Sequence, residues 1–296
     1  MKIKEHLPGW FKVRIHSGEK YGQVKGLLSG HGLHTVCQGA RCPNIWECWN
    51  AGTATFMILG ERCTRNCTFC GVPGTLTPTP PDPEEPGRIA DSVSRLGLSW
   101  AVLTSVTRDD LPDYGAGHFA ACVRAIHERS PLCGVELLIP DFKGDKEALD
   151  TVARSGAAVL AHNVETVLRL YPLVRPEADY AVSLSVLRYL AGKAKGRYTV
   201  KSSLIVGLGE SLEELEKVLK NLAGAGCVAV TLGQYLPPSL EHYPVQRYYS
   251  PEEFEKLAEL ARGCGIARVA SGPRVRSSYL AHELAGRDLH EGKPAH

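Results

Sequence analysis

The chain has 296 residues, 44% of them hydrophobic and 22% charged, with a formal net charge of +2 and ten cysteines. That length is enough for one large α/β domain with extensions, and the near-neutral charge leaves no electrostatic footprint for nucleic acid or an anionic membrane. No apolar run approaches the roughly 18–20 residues that cross a bilayer. The opening string MKIKEHLPGWFKVRI has neither the apolar core of a signal peptide nor the Arg/Ser-rich character of a transit peptide. The expected compartment is the cytoplasm, where clustered thiols are more often metal ligands than disulfides.

Residues 1–52 carry little periodicity and read as an N-terminal extension. It is held partly by a metal site, because Cys37, Cys42 and Cys48 form a C-x4-C-x5-C pattern. From residue 53, short β-rich apolar runs alternate with amphipathic stretches. The predicted strands are Thr55–Leu59, Trp100–Thr104, Val135–Ile139, Ala157–Ala161, Thr199–Val206, Val228–Leu232 and Ala267–Ala270. The predicted helices are Arg88–Leu96, His118–Arg129, Lys146–Ser155, Val164–Tyr171, Leu212–Ala225 and Pro251–Cys264. In the fifth of these, Glu213, Glu214, Glu216, Lys217 and Lys220 mark a solvated face opposite Leu215, Val218, Leu219 and Leu222. Pro73–Pro86, with six prolines, excludes a helix or an interior strand and reads as a stiff surface connection.

Strand–helix repetition implies parallel strands with right-handed crossovers. The fold class is therefore α/β: a full or partial (β/α) barrel of about six to seven parallel strands. It occupies residues 53–270, with the extensions 1–52 and 271–296 lying over its mouth. A doubly wound open sheet competes, because strand order is not written in the pattern.

The second cysteine triad is Cys63, Cys67 and Cys70, spaced C-x3-C-x2-C in CTRNCTFC. Three thiolates fill three iron sites of a cubane cluster and leave the fourth iron open for a small molecule. The spacing departs from the C-x2-C pairs of zinc ribbons. The triad directly follows the first barrel strand, and loops after strands form the catalytic face of such barrels. Cys122, Cys133, Cys227 and Cys264 stand alone among small or apolar neighbours and read as core residues.

CTRNCTFC resembles the signature of the radical S-adenosylmethionine superfamily. The resemblance implies that Cys63, Cys67 and Cys70 hold a [4Fe–4S] cluster whose fourth iron is chelated by S-adenosylmethionine. It also implies that Phe69 packs on the adenine, and that one electron splits the sulfonium to give a 5′-deoxyadenosyl radical. The longer string CQGARCPNIWECWNAGTATFMILGERCTRNCTFC is similar to the lipoyl synthase family. The similarity continues through VLTSVTRDDLPD, HNVETV, VGLGE, TLGQYLPPS and SGPRVRSSYLA. It implies a second, auxiliary [4Fe–4S] cluster on Cys37, Cys42 and Cys48, with Ser278 of Arg276-Ser277-Ser278-Tyr279 as fourth ligand and Ser277 as the competing assignment. Ser278 thereby joins the three radical-cluster cysteines in the catalytic set.

The implied reaction inserts sulfur at C6 and C8 of a protein-bound octanoyl-lysine chain, with the auxiliary cluster consumed as sulfur donor. Implied partners are an octanoylated lipoyl carrier (a glycine-cleavage H protein or a dehydrogenase E2 domain), an electron donor and an iron–sulfur carrier that rebuilds the spent cluster. Candidate S-adenosylmethionine contacts are the polar groups after strands: Thr104, Ser105, Asn163, Glu165, Lys201, Gly207 and Gln234. Glu210 shares the glycine-rich turn of Gly207, which permits close backbone approach. His162 and His118 read as core or solvated histidines. The chain departs from the family's common pattern at Thr107 and Ser203, neither of which is an expected cluster ligand.

Another radical sulfur-inserting enzyme is the alternative. Relatives of the biotin synthase and methylthiotransferase kinds lack the upstream triad and the R-S-S-Y ending. A two-cluster electron carrier needs four thiolates per cluster, and the six clustered cysteines fall short. A zinc-stabilised binding module is the remaining competitor.

Overall fold

The computed structural model describes residues 7–11, 22, 26, 34–35, 44–50, 53–279 and 281–286. Cys37 and Cys42 lie outside the described residues, as does most of the expected N-terminal extension. The described chain forms an eight-stranded sheet whose strands lie in sequence order. These are β1 (His34–Thr35), β2 (Thr53–Ile58), β3 (Trp100–Ser105), β4 (Gly134–Leu138), β5 (Val159–Ala161), β6 (Thr199–Val206), β7 (Ala229–Gln234) and β8 (Arg268–Gly272). β1 pairs antiparallel with β2, and every later pair is parallel.

That order decides between the two arrangements left open above. Right-handed crossovers that always step to the next strand put every helix on one face, and the sheet must curl to enclose the other. A doubly wound sheet requires a reversal of order, and there is none. The helices are α1 (Ile45–Asn50), α2 (Glu85–Arg95), α3 (Ala116–Arg129), α4 (Lys146–Ala153), α5 (Tyr171–Val174), α6 (Tyr180–Ala194), α7 (Leu212–Gly224), α8 (Pro251–Gly263) and α9 (Ala281–Leu284).

Alternation along the strands divides the core in two. Ala54, Phe56 and Ile58 of β2, Leu103 of β3 and Leu137 of β4 pack outward in the main cluster with Ile89, Phe119 and Leu149 of the helices. Trp100, Val102 and Val159 point the other way and form a separate cluster with Ala281. The helix ends follow local chemistry. Ser211 with Glu214 and Ser250 with Glu253 form capping boxes at α7 and α8. The buried face of α7 is Leu215, Val218, Leu219 and Leu222, as its periodicity predicts.

One expected helix is absent. Residues 164–171 are not a continuous helix: Glu165 has φ 68 and bridges Leu204 of β6, and a 3-10 turn at Leu168–Leu170 leads into α5. Pro172 and Pro176 punctuate this stretch, and proline denies a helix interior its N–H. The crossover helix is instead α6, capped by Asp179, whose carboxylate accepts from the N–H groups of Ala181 and Val182. The proline-rich segment is free of strand and helix up to Glu85, where α2 begins with Pro86 in its first turn, a position that needs no N–H donor.

β8 pairs only with β7 among the described residues, so the barrel is partial. Its open side is spanned by the two extensions. Asn44 Nδ2 donates to Arg274 O at 2.5 Å, and Tyr279 Oη donates to Glu47 Oε1 at 2.9 Å. The tail therefore starts at the mouth, where the Val275 carbonyl packs on Gly233. It descends beside α1 and ends at the barrel floor with Ala281 against Trp100. There Arg268 Nη1 donates to Leu284 O at 3.1 Å. The described parts of the extensions thus fill the open flank as well as reaching the mouth.

Candidate active site

The loop carrying Cys63, Cys67 and Cys70 leaves β2 at the mouth and is tied to four neighbouring loops. Thr64 donates from N and Oγ1 to Thr107 O, both at 3.0 Å, and Asp109 N donates to Thr64 Oγ1 at 3.0 Å. Thr68 donates to Val174 O at 3.1 Å and through Oγ1 to Leu173 O at 2.7 Å. Tyr243 N donates to Thr68 O at 2.9 Å. His242 Nε2–H donates to Cys70 O at 3.0 Å, with Ser239 Oγ on its Nδ1 at 2.8 Å. Gly74 is required here, because a Cβ would collide with the Asn66 side chain.

At the centre is Arg65. Its guanidinium grips Asp109 at 2.7 and 3.0 Å and Asp141 at 2.6 and 2.8 Å. Two bidentate pairs on one buried cation give the loop a fixed geometry. Burial works against the Asp141 carboxylate, but the Arg65 hydrogen bonds and charge outweigh it and hold the group down to about 2.

Cys63 Sγ accepts from the N–H groups of Arg65 at 3.4 Å and Thr107 at 3.3 Å, bonds that suit a thiolate. Burial raises the Cys67 thiol, and Arg175 opposes the rise. Burial lifts Cys70 to about 11, and charge on Cys67 and Cys63 adds to that. The three sulfurs are thus near enough to influence one another. Among the described residues no three cysteine, histidine or carboxylate groups converge as ligands of a single ion. A cubane does not ask for that, since each thiolate binds a different iron.

The expected strand-end contacts divide. Phe69 packs against the main core beside the cysteines. Thr104 and Ser105 end β3 half-buried, and Ser105 Oγ is a buried atom without a partner. Asn163 donates to Glu165 Oε1 at 2.9 Å and leaves its own Oδ1 buried and unpartnered. These orphaned atoms, gathered after β3 and β5, fit a polar ligand at the mouth.

Gly207 and Gln234 do reach the mouth, but their polar groups are engaged. Gln234 Nε2 donates to Val206 O, Tyr235 O and Arg247 O, and its Oε1 accepts from Tyr249 N at 2.9 Å. Glu210 accepts from the N–H groups of Gly207 and Leu208 at 2.7 and 2.9 Å. Lys201 is not at a strand end. It is third in the eight-residue β6, fully buried, with Nζ 2.5 Å from Glu136 Oε1. His162 is a core residue, with Nδ1–H on Ile139 O at 3.0 Å and burial lowering it to about 4. His118 Nε2 meets Glu85 Oε2 at 2.6 Å.

Cys48 lies on α1, where it meets the Arg274–Tyr279 segment that carries Ser277 and Ser278. Burial pushes the Tyr279 phenol up to about 12, and Glu47 and Cys48 add to the rise. Cys122, Cys133 and Cys227 are buried as expected, and Cys264 is half-buried.

Residues 57–222 match the sequence profile of the Radical SAM superfamily, and residues 1–42 match that of the N-terminal domain of lipoyl synthase of the Radical SAM family. The lipoyl synthase of Methylococcus capsulatus is 53% identical over 279 residues, which is 94% of this chain and 86% of that protein. That of Caldicellulosiruptor saccharolyticus is 53% identical over 93% of this chain and 96% of its own. The chain belongs to the lipoyl synthase family.

Lipoyl synthases are radical S-adenosylmethionine enzymes that insert sulfur, and membership brings S-adenosylmethionine and a [4Fe–4S] cluster to this site. Solved structures agree on the fold. Methylornithine synthase superimposes with a TM-score of 0.56 at 17% identity over 93% of this chain and 88% of its own. The FeFe-hydrogenase maturase HydG from Carboxydothermus hydrogenoformans gives 0.55 at 15% over 90% and 77%. No helix among the described residues is long and apolar enough to cross a membrane.

Reading the sequence missed Arg65, Asp109, Asp141, Arg175, Glu47 and Tyr279 as members of the lipoyl synthase site. The available signals were an arginine between two cluster cysteines and acidic residues directly after two predicted strands.

Proposed function

We propose that the chain inserts two sulfur atoms at C6 and C8 of a protein-bound octanoyl-lysine. S-adenosylmethionine sits on a cluster held by Cys63, Cys67 and Cys70. A second cluster, held by Cys37, Cys42, Cys48 and Ser278, is the sulfur source. When bound, these groups supply the reducing electron, the hydrogen-abstracting radical and the sulfur. The observation that carries the two-cluster reading is the contact of α1 with the tail, which brings Cys48 beside Ser277 and Ser278. An oxygen ligand is harder and less common on cluster iron than a thiolate, and its release opens an iron as the cluster is dismantled.

The chain's own groups hold and orient the reactants. The Arg65 clamp and the backbone donors on Cys63 fix the cysteine loop. Phe69, Thr104, Ser105, Asn163 and Glu165 are the proposed S-adenosylmethionine contacts, with Gly207 and Gln234 shaping the turn beside them. Lys201 is assigned to the barrel interior, away from the nucleotide. The carrier is an octanoylated lipoyl domain, an H protein or a dehydrogenase E2 domain. An electron donor and an iron–sulfur carrier serve repeated turnover in the cytoplasm.

The test is an anaerobic assay on an octanoyl-lysine peptide, with mass detection of added sulfur and of 5′-deoxyadenosine. The Cys67→Ala variant is expected to retain the auxiliary iron and make no 5′-deoxyadenosine. Normal 5′-deoxyadenosine from that variant would sink the assignment of the radical cluster.

A further inference from the structure

Arg175 is a buried cation without a carboxylate partner. It follows α5 and is 9% exposed. Its Nη1 donates to three neutral oxygens: Asn163 O at 3.0 Å, Val164 O at 3.2 Å and Tyr171 Oη at 2.9 Å. The guanidinium carbon lies 5.2 Å from the Tyr171 ring centroid, and Nε is buried with no hydrogen-bond acceptor. Among the described residues no carboxylate is in ion-pair contact with it. Asp141, the acidic group after β4, is already held bidentately by Arg65. Glu165 is engaged by Asn163, and burial raises its carboxyl toward the neutral form.

A charge removed from water without a counter-ion is strongly unfavourable, so a compensating charge belongs nearby. The side chain that faces Arg175 on the other side is Cys67. The two backbones are joined here, since Thr68 donates to Val174 O and Leu173 O, and the Arg175 charge and side-chain contact favour the Cys67 thiolate. Three thiolates bearing an iron–sulfur cluster form an anionic centre, and each electron added makes it more negative.

We infer that Arg175 is the charge partner of the radical cluster: a positioning residue that orients the Cys67 thiolate and eases reduction of the cluster by stabilising its more negative state. Cluster potentials depend on net charge and on hydrogen bonds to the sulfurs, and one buried cation supplies both. The same guanidinium holds the carbonyls of Asn163 and Val164, so cluster and strand-end turn share one anchor. This inference rests on the assignment of Cys63, Cys67 and Cys70 as cluster ligands.

The test compares anaerobically purified, cluster-bearing wild type with Arg175→Lys, which keeps the charge, and Arg175→Gln, which keeps a donor and loses the charge. Two quantities are read without turnover: iron content, and the midpoint potential of the paramagnetic signal that shifts on adding S-adenosylmethionine. In Arg175→Gln the reduced fraction at a fixed potential is expected to fall about tenfold, which is about 59 mV for a one-electron couple. Arg175→Lys is expected to stay much nearer wild type in both quantities. A wild-type midpoint in Arg175→Gln with full iron overturns the inference. So does Arg175→Lys losing iron as badly as Arg175→Gln, because a purely structural fork then explains both. Absence of any S-adenosylmethionine-responsive signal in the wild type would instead overturn the cluster assignment itself.

Discussion

Asp141→Asn tests the physical centre of the site with little change of shape. The substitution removes the charge from one of the two carboxylates that grip Arg65, and turns an amide NH2 toward a guanidinium that needs an acceptor. Two routes give the cost. Removing one partner of a buried ion pair costs about 3–5 kcal/mol when nothing else compensates the survivor; here Asp109 still holds Arg65, which places the loss at the lower edge. Independently, the Asp141 carboxyl is held at about 2 against an ordinary 3.8, and at about 1.4 kcal/mol per pH unit this is about 2 kcal/mol. For a domain of this size about 2–3 kcal/mol lowers Tm by roughly 5 °C. The assay is anaerobic thermal unfolding of both proteins in the same cluster state, repeated across pH. Because the folded-state value is depressed, the contribution is fully present above the unfolded value and is lost as pH falls toward the folded one. The gap between wild type and variant is therefore flat above pH ~5, and closes as pH drops through 3.8 toward about 2. An unchanged Tm at neutral pH, or a gap that widens on acidification, would refute the clamp.

The remaining predictions follow from contacts elsewhere. Ser278→Ala is expected to lose auxiliary iron or stall sulfur insertion while 5′-deoxyadenosine production survives, with Ser277→Ala milder; equal effects of the two would remove Ser278 as the ligand. Gly233→Ala drives a Cβ into the Val275 carbonyl, which displaces the tail. Auxiliary iron should become several-fold more labile with radical-cluster iron retained, and equal loss of both would mean that the tail is not specific to one cluster. Lys201→Met leaves Glu136 buried and unpaired at a cost of about 3–5 kcal/mol. Lys201→Met combined with Glu136→Gln should recover most of that loss in denaturant unfolding, and strict additivity of the two changes would contradict the pairing.

The fold was legible to the degree that it is written in local pattern. All seven parallel strands stand out as β-rich runs because each is buried on both faces, and α7 and α8 carry both periodicity and capping boxes. α6 went unread for the complementary reason. In YAVSLSVLRYLAGKA apolar residues and serines ring the axis, so no single stripe announces a helix, while HNVETVLRLYP carries a plausible stripe that Pro172 and the positive φ of Glu165 cancel. Strand order is a different matter. It depends on which edges meet in space, and no window of sequence encodes it.

The site divides along the same line. Cysteine spacing is local, so two triads were visible at once. The Arg65 clamp joins residues 44 and 76 positions apart, and nothing in CTRNCTFC says which acid it will find. Lys201 is more instructive, because its depth was available from the strand alone. A parallel barrel has its mouth at the carboxyl ends, and a residue third in a strand that continues to Val206 must lie far below that mouth. Gln234 shows the converse limit. It ends β7 as a ligand-binding residue should, yet four backbone groups already use its amide. Position on the catalytic face is thus a necessary condition for contact with a substrate. The sufficient one is an unspent hydrogen-bonding group, and by that criterion Ser105, Asn163 and Arg175 outrank Gln234 and Lys201.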